Sequence, residues 1–144
     1  MPDPAQLSST IEELEANTVG LDPDGDPTFN VPTVDYLAES VGAGLTAVGT
    51  DRTTSLQLDA ALNLVTGGAT GSGVCLPDLS GSPGADVIVI NANASAIKVY
   101  APGSQTIDGT AGSSGVTLTN AKRCIYFMTS STAWVSAQLG VVSA

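Results

Sequence analysis

Few side chains in this 144-residue sequence could do chemistry, because it has no histidine and only 12% of its residues are charged. Asp22, Asp24 and Asp26 alternate in LDPDGDPTFNVP as they do in D-x-D-x-D calcium loops. An EF-hand loop counted from Asp22 needs Gly at its sixth position and Glu at its twelfth, where this chain has Pro27 and Thr33. Three prolines and an Asp-Gly turn make an extended linker sufficient, and no metal site is expected. Asp86 and Asp108 are left by elimination for carboxylate-based glycoside hydrolysis. Asp86 precedes a strand-like run and Asp108 sits in an Asp-Gly turn, so a structural turn role is the favoured one. Cys75 (GVCLP) and Cys124 (RCIYF) have neither C-x-x-C spacing nor histidine partners, which excludes zinc and leaves buried free thiols.

Nucleophilic triads need a histidine that is absent. The glycines neither lead from a strand into a helix nor precede a lysine, so no P-loop or dinucleotide fingerprint is present. Asn93-Ala94-Ser95 is a formal glycosylation sequon that a turn explains equally well. No catalytic residue and no cofactor is expected.

The elements that must carry these residues fall into two regions of different charge. Residues 1–44 hold nine acids and no Lys or Arg, whereas 45–144 hold five acids and four bases, so −9 of the net −10 lies in the first region. Nucleic acid is disfavoured as a partner because phosphate neutralisation needs clustered cations, and anionic membranes are disfavoured for the same reason. No run reaches the roughly 18 apolar residues of a spanning helix, and MPDPAQLSST lacks the features of a secretory leader. Production and assembly in a cytoplasm are expected.

The first region reads as an extended acidic arm. SSTIEELEA predicts a helix over about 9–16, with Ser9 and Glu12 as capping box. PTVDYLAESVG predicts a second over about 33–41, with Val34, Leu37, Ala38 and Val41 on one stripe. A Pro/Asp linker joins them. Such an arm can order itself against a basic protein surface. Ile11, Leu14, Asp22, Asp24, Asp26, Phe29 and Tyr36 are its candidate docking residues.

From residue 45 the chain reads as strands: LTAV, SLQL, ALNLV, GVCLP, DVIVI, AIKVYA, QTIDG, GVTLT, RCIYFMT and AWVSAQL, each bounded by Gly, Asn, Asp, Ser or Pro. That beat predicts an all-β domain over 45–144, a small antiparallel sandwich or barrel. SLQL and GVTLT alternate, giving one wet and one packed face. VIVI and CIYFM are apolar throughout and should be covered on both sides. No convincing internal repeat is visible. Ile88, Ile90, Tyr100, Tyr126, Phe127 and Trp134 are the candidate subunit-interface residues, with core packing the competing role for the aromatics.

The succession TGGATGSGVCLP, ADVIVINANASAIKVYAPGSQTIDG and GVTLTNAKRCIYFMTSSTAWVSA resembles a small β module of tailed-phage virion proteins. Asn91, Tyr100, Pro102, Ile107, Gly109 and Trp134, in that order, carry the resemblance, over residues 45–139. It implies a capsid decoration, cement or head-fibre protein, often a homotrimer, that binds the major capsid protein on the capsid exterior. The alternative is a fibre-tip module that touches a host surface or carbohydrate, for which 4% aromatics offers little stacking material.

Overall fold

Strands form where β-branched and aromatic residues lie between turn-forming Gly, Asn, Asp and Ser. A computed structural model describes residues 19–21, 27–29 and 40–140. Two compact units divide the chain, Met1–Ala38 and Glu39–Ala144.

In the first unit, β1 (Val19–Leu21) pairs antiparallel with β2 (Pro27–Phe29), Val19 opposite Phe29 and Leu21 opposite Pro27. The segment expected to run on as a linker therefore doubles back at these two triplets. The helix expected over 9–16 lies outside the described residues, as do residues 33–39 of the second. Val41, expected to close that second helix, instead opens a strand.

The second unit is all-β. Strands β3 (Val41–Thr46), β5 (Leu62–Gly67) and β7 (Asp86–Asn91) lie parallel and adjacent in a long sheet. Strands β4 (Leu56–Gln57), β6 (Gly73–Cys75) and β8 (Ile97–Tyr100) do the same in a short sheet. The chain visits the two sheets in turn, so β3/β4, β5/β6 and β7/β8 are three rungs of a β-solenoid-like stack. Hydrogen bonds between rungs continue past the strand ends, from Ala47 N to Gly67 O (2.9 Å) and Leu76 N to Tyr100 O (2.9 Å).

Strands β11 (Val116–Leu118) and β12 (Lys122–Ser130) end the stack by pairing antiparallel with β8 and β7. The hairpin strand β13 (Ala133–Leu139) extends the long sheet, and β9 (Thr106–Ile107) and β10 (Thr110–Ala111) complete it in the order β10-β9-β13-β12-β7-β5-β3. The antiparallel sandwich expected from the sequence is corrected here. The class is all-β, but the central rungs are parallel because each strand returns to its own sheet one rung later. Strand β3 also crosses the boundary expected between residues 44 and 45, and its pairing with β5 joins Val41–Gly44 to the β unit.

The core lies between the two sheets. Val65, Val87, Val89, Cys124, Tyr126, Met128 and Trp134 from the long sheet meet Val74, Ile97, Val99 and Leu118 from the short one. Trp134 Nε1 donates to Gln105 Oε1 (2.6 Å), whose Nε2 donates to Asp78 Oδ1 (3.0 Å), so the indole is buried without losing its partner. At the corner after β7, Asn91 Nδ2 donates to Ser95 O and Leu118 O, each at 3.0 Å, and Asn93 Nδ2 donates to Gly68 O (2.7 Å) of the preceding rung.

Tyr100 is buried outside this core, on the far side of the short sheet. Its hydroxyl donates to Thr50 O (2.7 Å), and its ring lies between Gly73 and Gly115. A Cβ on Gly115 would sit 2.8 Å from both Cδ1 and Cε1 of the ring, and one on Gly73 would be closer still. The turn that holds the hydroxyl is tied by Asp51, whose Oδ1 accepts from Thr53 Oγ1 (2.7 Å), Thr53 N (2.8 Å) and Thr54 N (2.9 Å). Those bonds, the Thr53 hydroxyl first, hold the Asp51 carboxyl at about 2, below its ordinary 3.8.

Two outcomes follow from this arrangement. Gly73→Ala should cost about 1–3 kcal/mol, as overpacking does, because the tethered ring cannot retreat, whereas Gly81→Ala, with open space around it, should be neutral. Denaturant midpoints of the two variants check this. Asp51→Ala should lower the thermal midpoint at neutral pH. A depressed carboxyl stabilises above its unfolded value and ceases to as pH falls, so the gap from the parent should close between 3.8 and about 2 in a pH series of melts.

Candidate interaction surface

Period-two alternation sends every second residue of the long sheet away from the core. Val87 and Val89 of β7 point in, so Ile88 and Ile90 point out; Cys124, Tyr126 and Met128 of β12 point in, so Arg123, Ile125 and Phe127 point out. The registers then assemble these outward residues into rows. Val41, Leu62, Ile88, Ile125 and Ala137 lie directly opposite one another across five strands. Two residues further along the strands, Leu64, Ile90, Arg123 and Leu139 form a second row. Two residues the other way lie Asp86, Phe127 and Val135.

Part of this aliphatic surface is in water. Val41 is 61% exposed, Val135 46% and Phe127 38%, and the isoleucines are half-buried. Fully burying one such side chain is worth roughly 1.5–3 kcal/mol, whereas an exposed ion pair is worth ~0–1, so apolar contact is what this face offers. At its end, Leu64, Ile90, the Asn91–Ala94 corner and Asn120–Ala121 border a cleft of about 450 Å³.

VIVI and CIYFM, expected to be covered on both sides, are buried on the inner side, while on the outer side Ile88, Ile90 and Ile125 are half-buried and Phe127 is exposed. Of the expected interface residues, Ile88, Ile90 and Phe127 face outward. Tyr126 and Trp134 face inward, each 1% exposed within the core, and Tyr100 faces outward from the short sheet but is enclosed by its own turn and glycines. The physical reason is parity. Tyr126 and Trp134 share the inward phase of Cys124 and Met128. Val41, Leu62, Ile125 and Ala137 belong to the row although their outward phase was not read from the sequence; the alternation in AWVSAQL was the signal for Ala137.

Of the arm residues, Ile11, Leu14, Asp22, Asp24, Asp26 and Tyr36 lie outside the described residues, and Phe29 closes β2. Asp86 and Asp108 are separated in the ladder by β12 and β13. Asp108 and Gly109, at φ 50° and 78°, form the two-residue turn of the β9–β10 hairpin, a type I′ signature. The Asp108 carboxylate accepts from Ser136 N (2.8 Å) and Ser136 Oγ (2.5 Å). Cys75 and Cys124 are free and buried, and burial pushes both thiols upward.

No family model matches the chain, and neither does any characterised protein or solved structure.

Buried thiols whose pKa is raised by burial should be silent to an aromatic disulfide reagent at pH 8. Neither Cys75 nor Cys124 should react in the folded protein, and both should react at once in guanidinium. Stoichiometric reaction without denaturant would contradict the burial of both.

Proposed function

We propose that this chain is a structural subunit of a tailed-phage virion, of the capsid decoration, cement or head-fibre kind, which binds the outer capsid surface as an oligomer and stabilises it. The single observation behind this reading is the aliphatic row on the outer face of the long sheet, half-buried at its isoleucines and exposed at Val41. A surface of this composition is suited to burial against another protein. The order of strand, Asn corner, Tyr-Ala-Pro, Ile-Asp-Gly turn and closing Trp strand adds support from the resemblance to phage β modules. The nine acids of residues 1–44 supply a second contact, with Asp22, Asp24 and Asp26 attracted to a basic site on the major capsid protein and Ile11, Leu14, Phe29 and Tyr36 as apolar anchors.

A sugar-binding fibre tip is the weaker reading. The cleft at the end of the face is lined by Leu, Ile, Asn and Ala, with no ring on which a sugar could stack.

Mass spectrometry of gradient-purified virions from the source phage or induced prophage tests the proposal. Many copies per particle, removed by external protease, are expected; absence from the particles would overturn it. Asp22→Asn/Asp24→Asn/Asp26→Asn in the full chain should weaken capsid binding at low salt and flatten its salt dependence.

A further inference from the structure

We infer that the outer face of the long sheet pairs with the same face of a second copy, about a twofold axis running along the Val41–Leu62–Ile88–Ile125–Ala137 row. The inference rests on reading that face as an assembly surface and names its occupant.

The two ends of the face differ in charge. Asp86 stands opposite Phe127 at one end, and Arg123 stands opposite Ile90 at the other. Each lies two residues from the central row, about 7 Å at strand rise. A twofold axis along the central row exchanges the ends and lays each strand over its own copy. Phe127 then meets Arg123 of the second copy, Asp86 meets Ile90, and Val135 meets Leu139. Neighbouring strands are about 4.8 Å apart, so the long Arg123 side chain can reach both the Phe127 ring and the Asp86 carboxylate opposite. The central aliphatic row packs on itself.

A twofold axis along the strands would do the reverse. It keeps each end over the same end and leaves acid beside acid and arginine beside arginine, which disfavours it. Because the face is complementary to itself, two copies close the contact and none is left open for a third. The threefold assembly implied by the phage resemblance is the competing outcome.

Light scattering on the full chain at micromolar concentration should give twice 14.3 kDa. Ile125→Glu places two carboxylates at the axis and should give the single-chain mass; Phe127→Asp is the second variant to the same end. Asp86→Arg and Arg123→Asp should each weaken pairing by roughly tenfold or more, and the double variant D86R/R123D should restore it. Rescue reports direct pairing, because a purely structural role would make the two losses accumulate. Thiol protection of Cys75 and Cys124 certifies that each variant is folded. A parent mass of one chain or three, or a double reversal no better than the single ones, overturns the inference. The measurement uses no virus particles: a dimer absent from virions sinks the functional proposal and spares the pairing, and a monomer found in virions sinks the pairing while leaving the virion role standing.

Discussion

The stack depends on one constraint: its parallel rungs share a single core, so each strand can bury only one of its two faces. Val87 and Val89 occupy the core side of β7, and the backbone then has no choice but to send Ile88 and Ile90 the other way. The short sheet resolves the same problem internally. Its outward Tyr100 lies between Gly73 and Gly115, with its hydroxyl bonded to Thr50 in the Asp51-tied turn. The outward row of the long sheet instead stays half-buried at Ile88 and Ile125 and exposed at Val41. The difference between the two outer faces, more than the amount of apolar residue in the chain, locates the surface.

Holding the rungs in register is the work of the corners. Asn91 satisfies two carbonyls from inside the stack, and Asn93 reaches across to Gly68 on the rung before. A buried amide that lost such partners would cost about 1–3 kcal/mol, more than the bond itself contributes net, so these corners tolerate one geometry. Asn63 is the exception: its Nδ2 donates to Ala60 O (2.7 Å), while its Oδ1 has no protein partner. The corner glycines act with the asparagines. At Gly68 (φ 129°) an added Cβ would stand 2.8 Å from Ala47 O of the preceding rung.

Strand positions were legible because their flanks were. Each of the ten expected runs coincides in part with a strand or, for LTAV, overlaps the end of β3, and the Asp108-Gly109 turn is where the dipeptide placed it. Pairing order was not legible. Parallel stacking shows in sequence as a repeat of constant length, and these rungs are unequal because the loops after β4 and β6 differ, so Val41, Leu62 and Ile88 align in space without a period. Orientation failed where composition was uniform: CIYFM is apolar at every position, so only the register could show that Tyr126 goes in and Phe127 out. Strand β3 failed for another reason, since Val41 completed a helical stripe with Val34, Leu37 and Ala38 and two glycines followed it.

An open stack has edges as well as faces, and the two are treated differently here. The β3 edge is broken by register shifts between Gly42 and Leu45 and between Leu45 and Thr46, with Gly44 at φ 68°. Irregularity of that kind blunts an edge against strand addition, which would otherwise extend into open-ended fibres. The long-sheet face carries no comparable device in its central row. What it carries instead is one acid and one arginine at opposite ends, in a chain with four cations in all. Aliphatic contact supplies adhesion with little regard for orientation, and the two charges supply the orientation. Blocking the edge while leaving the face adhesive and polarised favours a closed pairing over a growing one.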